Sequence, residues 1–223
     1  MIALPRPGAA PSAATAALAG RTAVVTGAAR GIGRACALAY ARAGADLVLT
    51  DIGHDLPGVP YPLGSLDQLA YTAQLCTEAG GGASVLVEPA DVRAAAEVQQ
   101  VVDAALDRFG RIDVLLNNAG IAAPSGRTVY EIGAEEWQLM LDVDVTGAWR
   151  MIRAAGAAMT HRRSGSIINV ASTAGLVGYR HFAGYVTAKH ALVGLTKAAA
   201  LDLAPFGVRV NALCPGSVRD DEQ

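Results

Sequence analysis

The sequence predicts a single α/β domain built on an open, doubly wound parallel sheet. Three observations lead to this prediction. Short apolar segments alternate with helix-like segments along the chain, the strand-like segments are apolar throughout, and a glycine-rich turn joins the first strand to the first helix. Strands that helices cover on both faces show this continuous apolar pattern. A length of 223 residues suits one such domain.

The elements follow from the apolar pattern and from the turn residues between segments. Six strands are predicted, at residues 21–26, 46–51, 84–88, 112–117, 166–171 and 208–213. Five helices are predicted between them, at residues 32–43, 66–79, 94–109, 134–159 and 184–204. No internal repeat and no second domain is indicated. In a sheet of this kind, ligands bind at the carboxyl ends of the strands.

An insert of about residues 53–65 separates the second strand from the second helix. Its three prolines and three glycines predict an ordered loop rather than a helix. Ser65 and Gln68 form a capping-box pattern that predicts the start of the next helix.

Composition excludes several functional classes. With 18 basic and 20 acidic residues the net charge is -2, which indicates neither a nucleic-acid partner nor a membrane partner. Residues 1–19 are rich in alanine and proline and predict a disordered leader without a signal peptide. The three cysteines have no paired spacing and the four histidines have no metal-ligand spacing, so a cytoplasmic protein without a metal site is predicted.

A glycine-rich segment, Thr26 to Gly33, follows the first predicted strand. Backbone N–H groups and the helix dipole at such a turn attract a diphosphate. Gly27 permits the tight turn, Gly31 lets the backbone approach a phosphate, and Gly33 lets the helix pack on the strand. Because the spacing is G-x3-G-x-G rather than the more common G-x-G-x-x-G, the segment alone also fits an ordinary turn.

Two charged residues make opposite predictions about the cofactor. Asp51 ends the second strand eighteen positions after Gly33, close to the spacing at which a carboxylate meets the ribose hydroxyls of adenosine. A carboxylate there repels a 2'-phosphate, whereas Arg30 would pair with it. We expect the fixed carboxylate to outweigh a mobile surface arginine. The predicted cofactor is therefore NAD, in preference to NADP.

Ser172, Tyr185 and Lys189 form the pattern S-x12-Y-x3-K. Tyr185 and Lys189 lie four positions apart in a predicted helix, so they project from one face. A phenol has a pKa near ~10, and a neighbouring cation supplies part of the shift needed for it to act as a base near neutrality. Ser172 follows a strand and can hydrogen-bond a substrate oxygen. The Tyr–Lys pair alone is also typical of a solvated helix surface.

With these motifs the chain resembles the short-chain dehydrogenase/reductase family. The resemblance runs from about Gly20 to Val218 and includes three further motifs in family order, Asp91-Val92, Asn117-Asn118-Ala119-Gly120 and Pro215-Gly216. It implies a Rossmann-type sheet whose usual seventh strand is missing here. It also implies that two long helices pair across a two-fold axis in a homodimer or homotetramer.

The resemblance implies hydride transfer between nicotinamide C4 and a carbinol or carbonyl carbon. Tyr185 would be the general acid/base, Lys189 would favour its phenolate and hold the nicotinamide ribose, and Ser172 would orient the substrate oxygen. The predicted cofactor-binding residues are Gly27, Arg30, Gly31, Ile32, Gly33, Asp51, Asp91, Val92, Asn118, Ala119, Gly120, Tyr185, Lys189, Pro215, Gly216 and Val218.

The chain departs from the family pattern in three places. Asp144 stands where the family has a fourth catalytic residue, an asparagine that holds a water in a proton relay, so altered or reduced activity is predicted. Asp220 replaces a threonine that contacts the nicotinamide carboxamide. The chain stops at Gln223, where the family continues with a loop that covers the substrate, which is the pattern of a truncated fragment.

The insert resembles that of the group of carveol dehydrogenase-like and mycofactocin-associated members. That resemblance implies an insert that covers NAD, a nucleotide that stays bound through turnover, and reoxidation by an external electron carrier. A plain surface loop remains the alternative.

Two hypotheses about function therefore stand. The first is an NAD-dependent oxidoreductase acting on a small apolar secondary alcohol or ketone. The second is a catalytically impaired dinucleotide-binding homologue, which Asp144 and Asp220 favour.

Overall fold

The sheet of the predicted class is present. The computed structural model describes residues 17–79 and 81–218. Its six strands all pair in parallel, in the order β3-β2-β1-β4-β5-β6. The strands are β1 (Thr22–Thr26), β2 (Asp46–Thr50), β3 (Val85–Val87), β4 (Val114–Asn117), β5 (Gly165–Val170) and β6 (Val208–Leu213). The order reverses direction at β1 and β4, whose carboxyl ends therefore border the ligand crevice.

Helices flank the sheet and connect its strands. They are α1 (Gly31–Arg42), α2 (Leu66–Glu78), α3 (Ala95–Phe109), α4 (Ala134–Leu141), α5 (Ala148–Arg162) and α6 (Ala183–Leu203). The predicted capping box at the start of α2 is confirmed, since the Ser65 hydroxyl accepts from Gln68 N and the Gln68 side chain accepts from Ser65 N. Predicted boundaries differ from the observed ones by one or two residues at most elements.

The prediction of one continuous helix over residues 134–159 is wrong. A π-helical turn, Asp142–Gly147, separates α4 from α5. In a π turn the backbone hydrogen bonds span one residue more than in an α-helix, which changes the direction of the side chains that follow. Within this turn Gly147 packs against Val92, and a Cβ there would lie 2.6 Å from the Val92 side chain. The turn therefore fixes how Asp144 enters the site.

The core lies on both faces of the sheet. All five residues of β1 are buried, as expected for a strand between helical layers. The prediction that every strand is apolar throughout fails for β6, where Val208 and Val210 are buried while Arg209 and Asn211 are exposed. This strand is an edge of the six-stranded sheet described, and its alternating burial shows that only one of its faces is covered.

Buried polar groups connect the strands to the helices. Asn117 of β4 donates to Ala148 O and to Asn169 Oδ1, and Asn169 of β5 donates to Thr196 of α6. At the other end of the sheet, the buried carboxylate of Asp113 forms ion pairs with three arginines, Arg21, Arg111 and Arg162. Burial acts to raise the pKa of Asp113, but the hydrogen bonds that it accepts from Arg111, Thr22 N and Arg21, together with the charge of Arg111, lower it to about 2.

The predicted leader and insert have different outcomes. Residues 1–16 of the leader lie outside the described residues. The last residues of the predicted leader belong to the folded domain, because Leu18 N donates to Ala43 O and the Leu18 side chain packs on the core. The insert at residues 53–65 is described, and it contains no helix or strand. No helix among the described residues is long and apolar enough to cross a membrane.

Candidate active site

The glycine-rich turn is packed too tightly for side chains at two of its positions. Gly27 has φ +65°, and a Cβ there would lie 2.9 Å from the Ala119 backbone. A Cβ on Gly33 would collide with Gly27 O and lie 2.7 Å from Asn118 Nδ2. The close packing of α1 on this turn, predicted for Gly33, is observed. It leaves the N-terminus of α1 facing the crevice, beside Gly31 and Ile32.

Asp51 lies at the end of β2, on the rim of the crevice. Its Oδ2 accepts from Ala29 N and its Oδ1 accepts from Ile52 N, each at 2.9 Å. Burial raises the pKa of Asp51, and these hydrogen bonds together with the charge of Arg30 partly offset the rise. The acid is thus held by the backbone of the glycine turn in the position that the sequence predicted.

Arg30 lines the crevice and also contacts the insert. Its Nη2 donates to Pro62 O of the insert at 2.8 Å. The insert also packs on Asp51, because a Cβ on Gly64 would lie 2.8 Å from Asp51 Oδ1 and 2.7 Å from the Ala29 Cβ. Within the insert, Leu63 N donates to Asp55 at 2.7 Å. The insert carbonyl thus engages one of the five N–H donors of Arg30, which still lines the crevice beside Asp51.

The opposite wall of the crevice comes from β4 and the chain after β3. Asn118 Nδ2 donates to Thr26 O and Gly27 O, and the Thr26 hydroxyl accepts from the backbone N–H groups of Asn118 and Ala119. Asp91 is paired with Arg93 at 2.6 Å. Burial acts to raise the pKa of Asp91, but the hydrogen bonds and charge of Arg93 lower it overall.

The crevice has a volume of about 510 Å³. Nearly all the cofactor-binding residues predicted from the first half of the chain line it: Gly27, Arg30, Gly31, Ile32, Asp51, Asp91, Val92, Asn118, Ala119 and Gly120. Gly33 supports it from beneath rather than lining it.

A second cavity, of about 250 Å³, brings Ser172, Tyr185 and Lys189 together. Ser172 follows β5 and caps a short 3-10 turn, its Oγ accepting from Ala174 N at 3.1 Å. Tyr185 and Lys189 lie on one face of α6, with the Lys189 Nζ 5.5 Å from the centre of the Tyr185 ring. Lys189 Nζ also donates to Val170 O at 3.2 Å. The solvated-surface alternative is wrong for this pair, because Lys189 is buried.

The two cavities share a wall and form one continuous site. Six residues line both of them, namely Ile32, Asn118, Gly120, Ile121, Ala122 and Val218. Pro215 and Gly216 line the second cavity, and Pro215 O accepts from Thr173 N at 2.9 Å, which ties the segment after β6 to the Ser172 turn. Asp220 lies outside the described residues.

Asp144 reaches the same site from the π turn. It is 1% exposed, its Oδ1 accepts from Ile121 N at 3.0 Å, and Lys189 Nζ lies 3.5 Å from the same oxygen. Burial raises the pKa of Asp144, and the ammonium of Lys189 opposes that rise. The four residues predicted to be catalytic are therefore neighbours in the structure.

Comparison with known proteins accords with this geometry. Residues 21–222 match the family model described as short chain dehydrogenase. The chain belongs to the short-chain dehydrogenase family. This membership makes it an oxidoreductase of the short-chain dehydrogenase/reductase class, as predicted, and its six-stranded sheet is the Rossmann-type sheet of that class.

Similar proteins in this family include characterised dehydrogenases. The chain is 40% identical over 200 residues to the (-)-trans-carveol dehydrogenase of Rhodococcus erythropolis, an alignment covering 89% of this chain and 71% of that protein. It is 38% identical over 199 residues to the trans-4-hydroxycyclohexanecarboxylate dehydrogenase of Sinomonas cyclohexanicum, covering 89% and 73%. The crystal structure of carveol dehydrogenase from Mycobacterium avium in complex with NAD superposes with a TM-score of 0.86 at 34% identity, covering 90% and 72%. The predicted likeness to the carveol dehydrogenase group is confirmed.

Sequence reasoning missed two residues of this short-chain dehydrogenase site. Tyr61 of the insert lines the second cavity, and its hydroxyl accepts from Ala122 N at 3.0 Å. Thr26 holds the chain after β4 through its buried hydroxyl. A tyrosine between two prolines in a loop carries no periodic signal that could have assigned Tyr61. Thr26 could have been identified from the sequence, because it is the last residue before the first glycine of the glycine-rich turn.

Proposed function

We propose that the chain is an NAD-dependent oxidoreductase that transfers a hydride between nicotinamide and a small apolar secondary alcohol or ketone. One observation carries the proposal: the cavity that holds Ser172, Tyr185 and Lys189 is continuous with the crevice at the glycine turn. A dinucleotide bound along that crevice would present its nicotinamide end to these three side chains.

The residues present fit NAD. The glycine turn leaves the backbone and the N-terminus of α1 open to a diphosphate. Asp51 offers a carboxylate to the ribose hydroxyls, while one N–H of the Arg30 guanidinium already donates to Pro62 O. The solved carveol dehydrogenase at a TM-score of 0.86 is a complex with NAD. These observations support NAD over NADP as the cofactor.

The chain's own residues supply binding and proton transfer. When bound, nicotinamide supplies the carbon that accepts or gives up the hydride. Ser172 Oγ accepts from Ala174 N, so its hydroxyl proton is free to donate to a substrate oxygen. Tyr185 moves the proton between that oxygen and solvent, and Lys189, anchored on Val170 O, favours the phenolate.

An apolar substrate suits the approach to the second cavity. The segment between Ser172 and Tyr185 exposes large apolar side chains, including Leu176, Val177 and Tyr179. The relatives act on carveol and trans-4-hydroxycyclohexanecarboxylate according to their names. Both observations favour a compact secondary alcohol with a hydrocarbon ring or a similar apolar frame.

The insert supports a closely held nucleotide. Leu56, Leu63 and Gly64 line the crevice on one side, and Tyr61 reaches Ala122 on the other. We expect NAD to be covered by this insert and reoxidised by an external electron carrier. The fraction of protein that purifies with nucleotide, measured by absorbance of the denatured supernatant, tests this expectation. A nucleotide-free protein that exchanges NADH freely would contradict it.

The competing proposal is a catalytically impaired dinucleotide-binding homologue. Asp144 favours it, because a buried carboxylate beside Lys189 changes the charge that acts on Tyr185. Turnover separates the two proposals. A catalyst reduces NAD with at least one member of a panel of apolar secondary alcohols, whereas the impaired homologue binds NADH and turns over none.

Replacing Tyr185 with phenylalanine tests the catalytic assignment. Tyr185→Phe removes the hydroxyl and keeps the ring, so we expect kcat to fall by about 10² to 10⁴ while NADH still binds. Tyr71→Phe is the matched control, since this exposed tyrosine stacks on Arg34 through its ring and lies outside both cavities. Equal turnover by Tyr185→Phe and wild type would refute the assignment.

A further inference from the structure

Asp144 is buried beside Lys189 and is hydrogen-bonded to the backbone. Its Oδ1 accepts from Ile121 N, and its Oδ2 is buried without a hydrogen-bond partner among the described residues. Gly120 closes the pocket, because a Cβ at that position would collide with Asp144 Oδ1 and lie 3.2 Å from Lys189 Nζ. Asp144 belongs to the π turn, which places its carboxyl group in this pocket. Rotation away from this position would break the hydrogen bond from Ile121 N.

The groups that face Asp144 are few. Lys189 approaches from α6 at 3.5 Å, and the Tyr185 ring lies on the same helix, 5.5 Å from Nζ. From the insert, Tyr61 feels the Asp144 charge, which adds to burial in raising the pKa of Tyr61, while Arg30 acts on it in the opposite direction. In the described part of the chain, α4 and α5 give Asp144 neither a hydrogen bond nor an ion pair.

The ionisation state of Asp144 decides the net charge beside Tyr185: burial favours the neutral acid, and the charge of Lys189 and the hydrogen bond from Ile121 N favour the carboxylate. An ammonium next to a phenol favours the phenolate. An ionised carboxylate at 3.5 Å from that ammonium offsets part of its attraction for the phenolate. An asparagine in the same place keeps the acceptor for Ile121 N but leaves the Lys189 charge uncompensated. The two side chains are nearly equal in shape and differ in this electrostatic effect.

We propose that Asp144 is a positioning residue that sets, through Lys189, the pH at which the Tyr185 phenol loses its proton. With an ionised carboxylate at this position the phenol keeps its proton to higher pH than it does beside a neutral side chain. The assignment rests on the proposed function for the role of Tyr185 as the base. It places the working range of the enzyme at more alkaline pH than an asparagine would allow.

Titration of the phenol by near-ultraviolet absorbance tests this proposal without any substrate. The Tyr185 signal is isolated by subtracting the matched Tyr185→Phe protein, stripped of nucleotide, in each background. We expect Asp144→Asn to move the midpoint of this titration to lower pH by about one unit. Asp142→Asn is the control, because Asp142 lies in the same π turn but is half-buried and accepts from Gln138. We expect no measurable shift for that variant.

Folding of each variant is checked by circular dichroism, and Asp144→Ser provides a second neutral side chain. An unchanged or raised midpoint in whichever of the two folds would overturn the proposal. If neither folds, the wild-type titration decides. A wild-type midpoint near the ordinary phenol value of ~10 supports the cancelled charge, and one more than about a unit below that value contradicts it.

A measurement of alcohol turnover distinguishes a failure of this proposal from a failure of the proposed function. If an alcohol is oxidised, the pH-dependent limb of kcat moves in Asp144→Asn in the same direction as the phenol midpoint. If no alcohol is oxidised, the proposed function fails, while the phenol titration still decides the role of Asp144.

Discussion

Replacing Asp51 with asparagine should reverse much of the preference for NAD. The amide has nearly the same shape as the carboxylate, and its oxygen can still accept one of the two backbone hydrogen bonds that Ala29 and Ile52 now donate. What is lost is the negative charge that faces the ribose. The perturbation therefore isolates charge from shape.

The expected size follows from the surroundings of Asp51. Two unit charges about 4 Å apart interact by about 1 kcal/mol in water and about 4 kcal/mol at the effective dielectric of a protein surface. Asp51 is half-buried on the rim of the crevice, so about 2 kcal/mol, or about 30-fold in affinity, is expected against a 2'-phosphate. Arg30 is present in both wild type and variant, so its charge does not contribute to the difference between them. NADH should bind about fivefold more weakly, because a charge-assisted hydrogen bond becomes a neutral one.

Nicotinamide fluorescence measures both effects in separate titrations with NADH and NADPH. We expect wild type to bind NADH at least about 30-fold more tightly than NADPH, and Asp51→Asn to bring the two within about fivefold. Asp67→Asn is the control for net charge, because this exposed acid in the first turn of α2 does not line the crevice. It should leave the ratio unchanged.

Two results would refute this reasoning. A wild-type preference for NADPH would mean that Arg30 leaves Pro62 and outweighs Asp51. An Asp51→Asn protein that keeps the wild-type ratio would mean that the insert excludes the 2'-phosphate by contact alone, since Gly64 packs against Asp51.

Two further predictions concern folding. Gly33→Ala should lower stability by about 1–3 kcal/mol and NADH affinity by at least about tenfold, because its Cβ meets Gly27 O and Asn118. Thermal unfolding and NADH titration measure the two effects. Gly156→Ala in α5 is the control, because a Cβ at that position has no neighbouring atom within 4 Å. A Gly33→Ala protein with wild-type stability and NADH affinity would contradict the close packing. Asp113→Asn should abolish an acid-dependent loss of stability. The pKa of Asp113 is depressed to about 2 in the folded protein. Its contribution to the free energy of unfolding, about 2 kcal/mol, is therefore present above the pKa of the unfolded chain, near ~4, and is lost as pH falls from there towards 2. Urea unfolding across that range should show a steeper loss in wild type than in the variant, and parallel curves would contradict the role of the arginine cluster.

Much of the fold was within reach of the sequence because it depends on local patterns. The continuous burial of β1, the Ser65 capping box and the i, i+4 spacing of Tyr185 and Lys189 each act over a few residues, and all are observed. The π turn was missed, because its residues, Asp142–Gly147, are weak helix formers of kinds that also occur inside ordinary α-helices. Tyr61 was missed because the path of a proline-rich loop depends on what it packs against.

By itself the sequence determined the chemistry available to this short-chain dehydrogenase: glycines where helix and strand must touch, an acid at the end of β2, and a serine, a phenol and an amine at family spacing. Only the tertiary structure decided how the competing charges are used. Arg30 meets Pro62 across 32 positions of chain, and Lys189 meets Asp144 across 45. Local spacing sets which face of a helix a side chain occupies, whereas contacts over such separations depend on loop closure and on packing between elements.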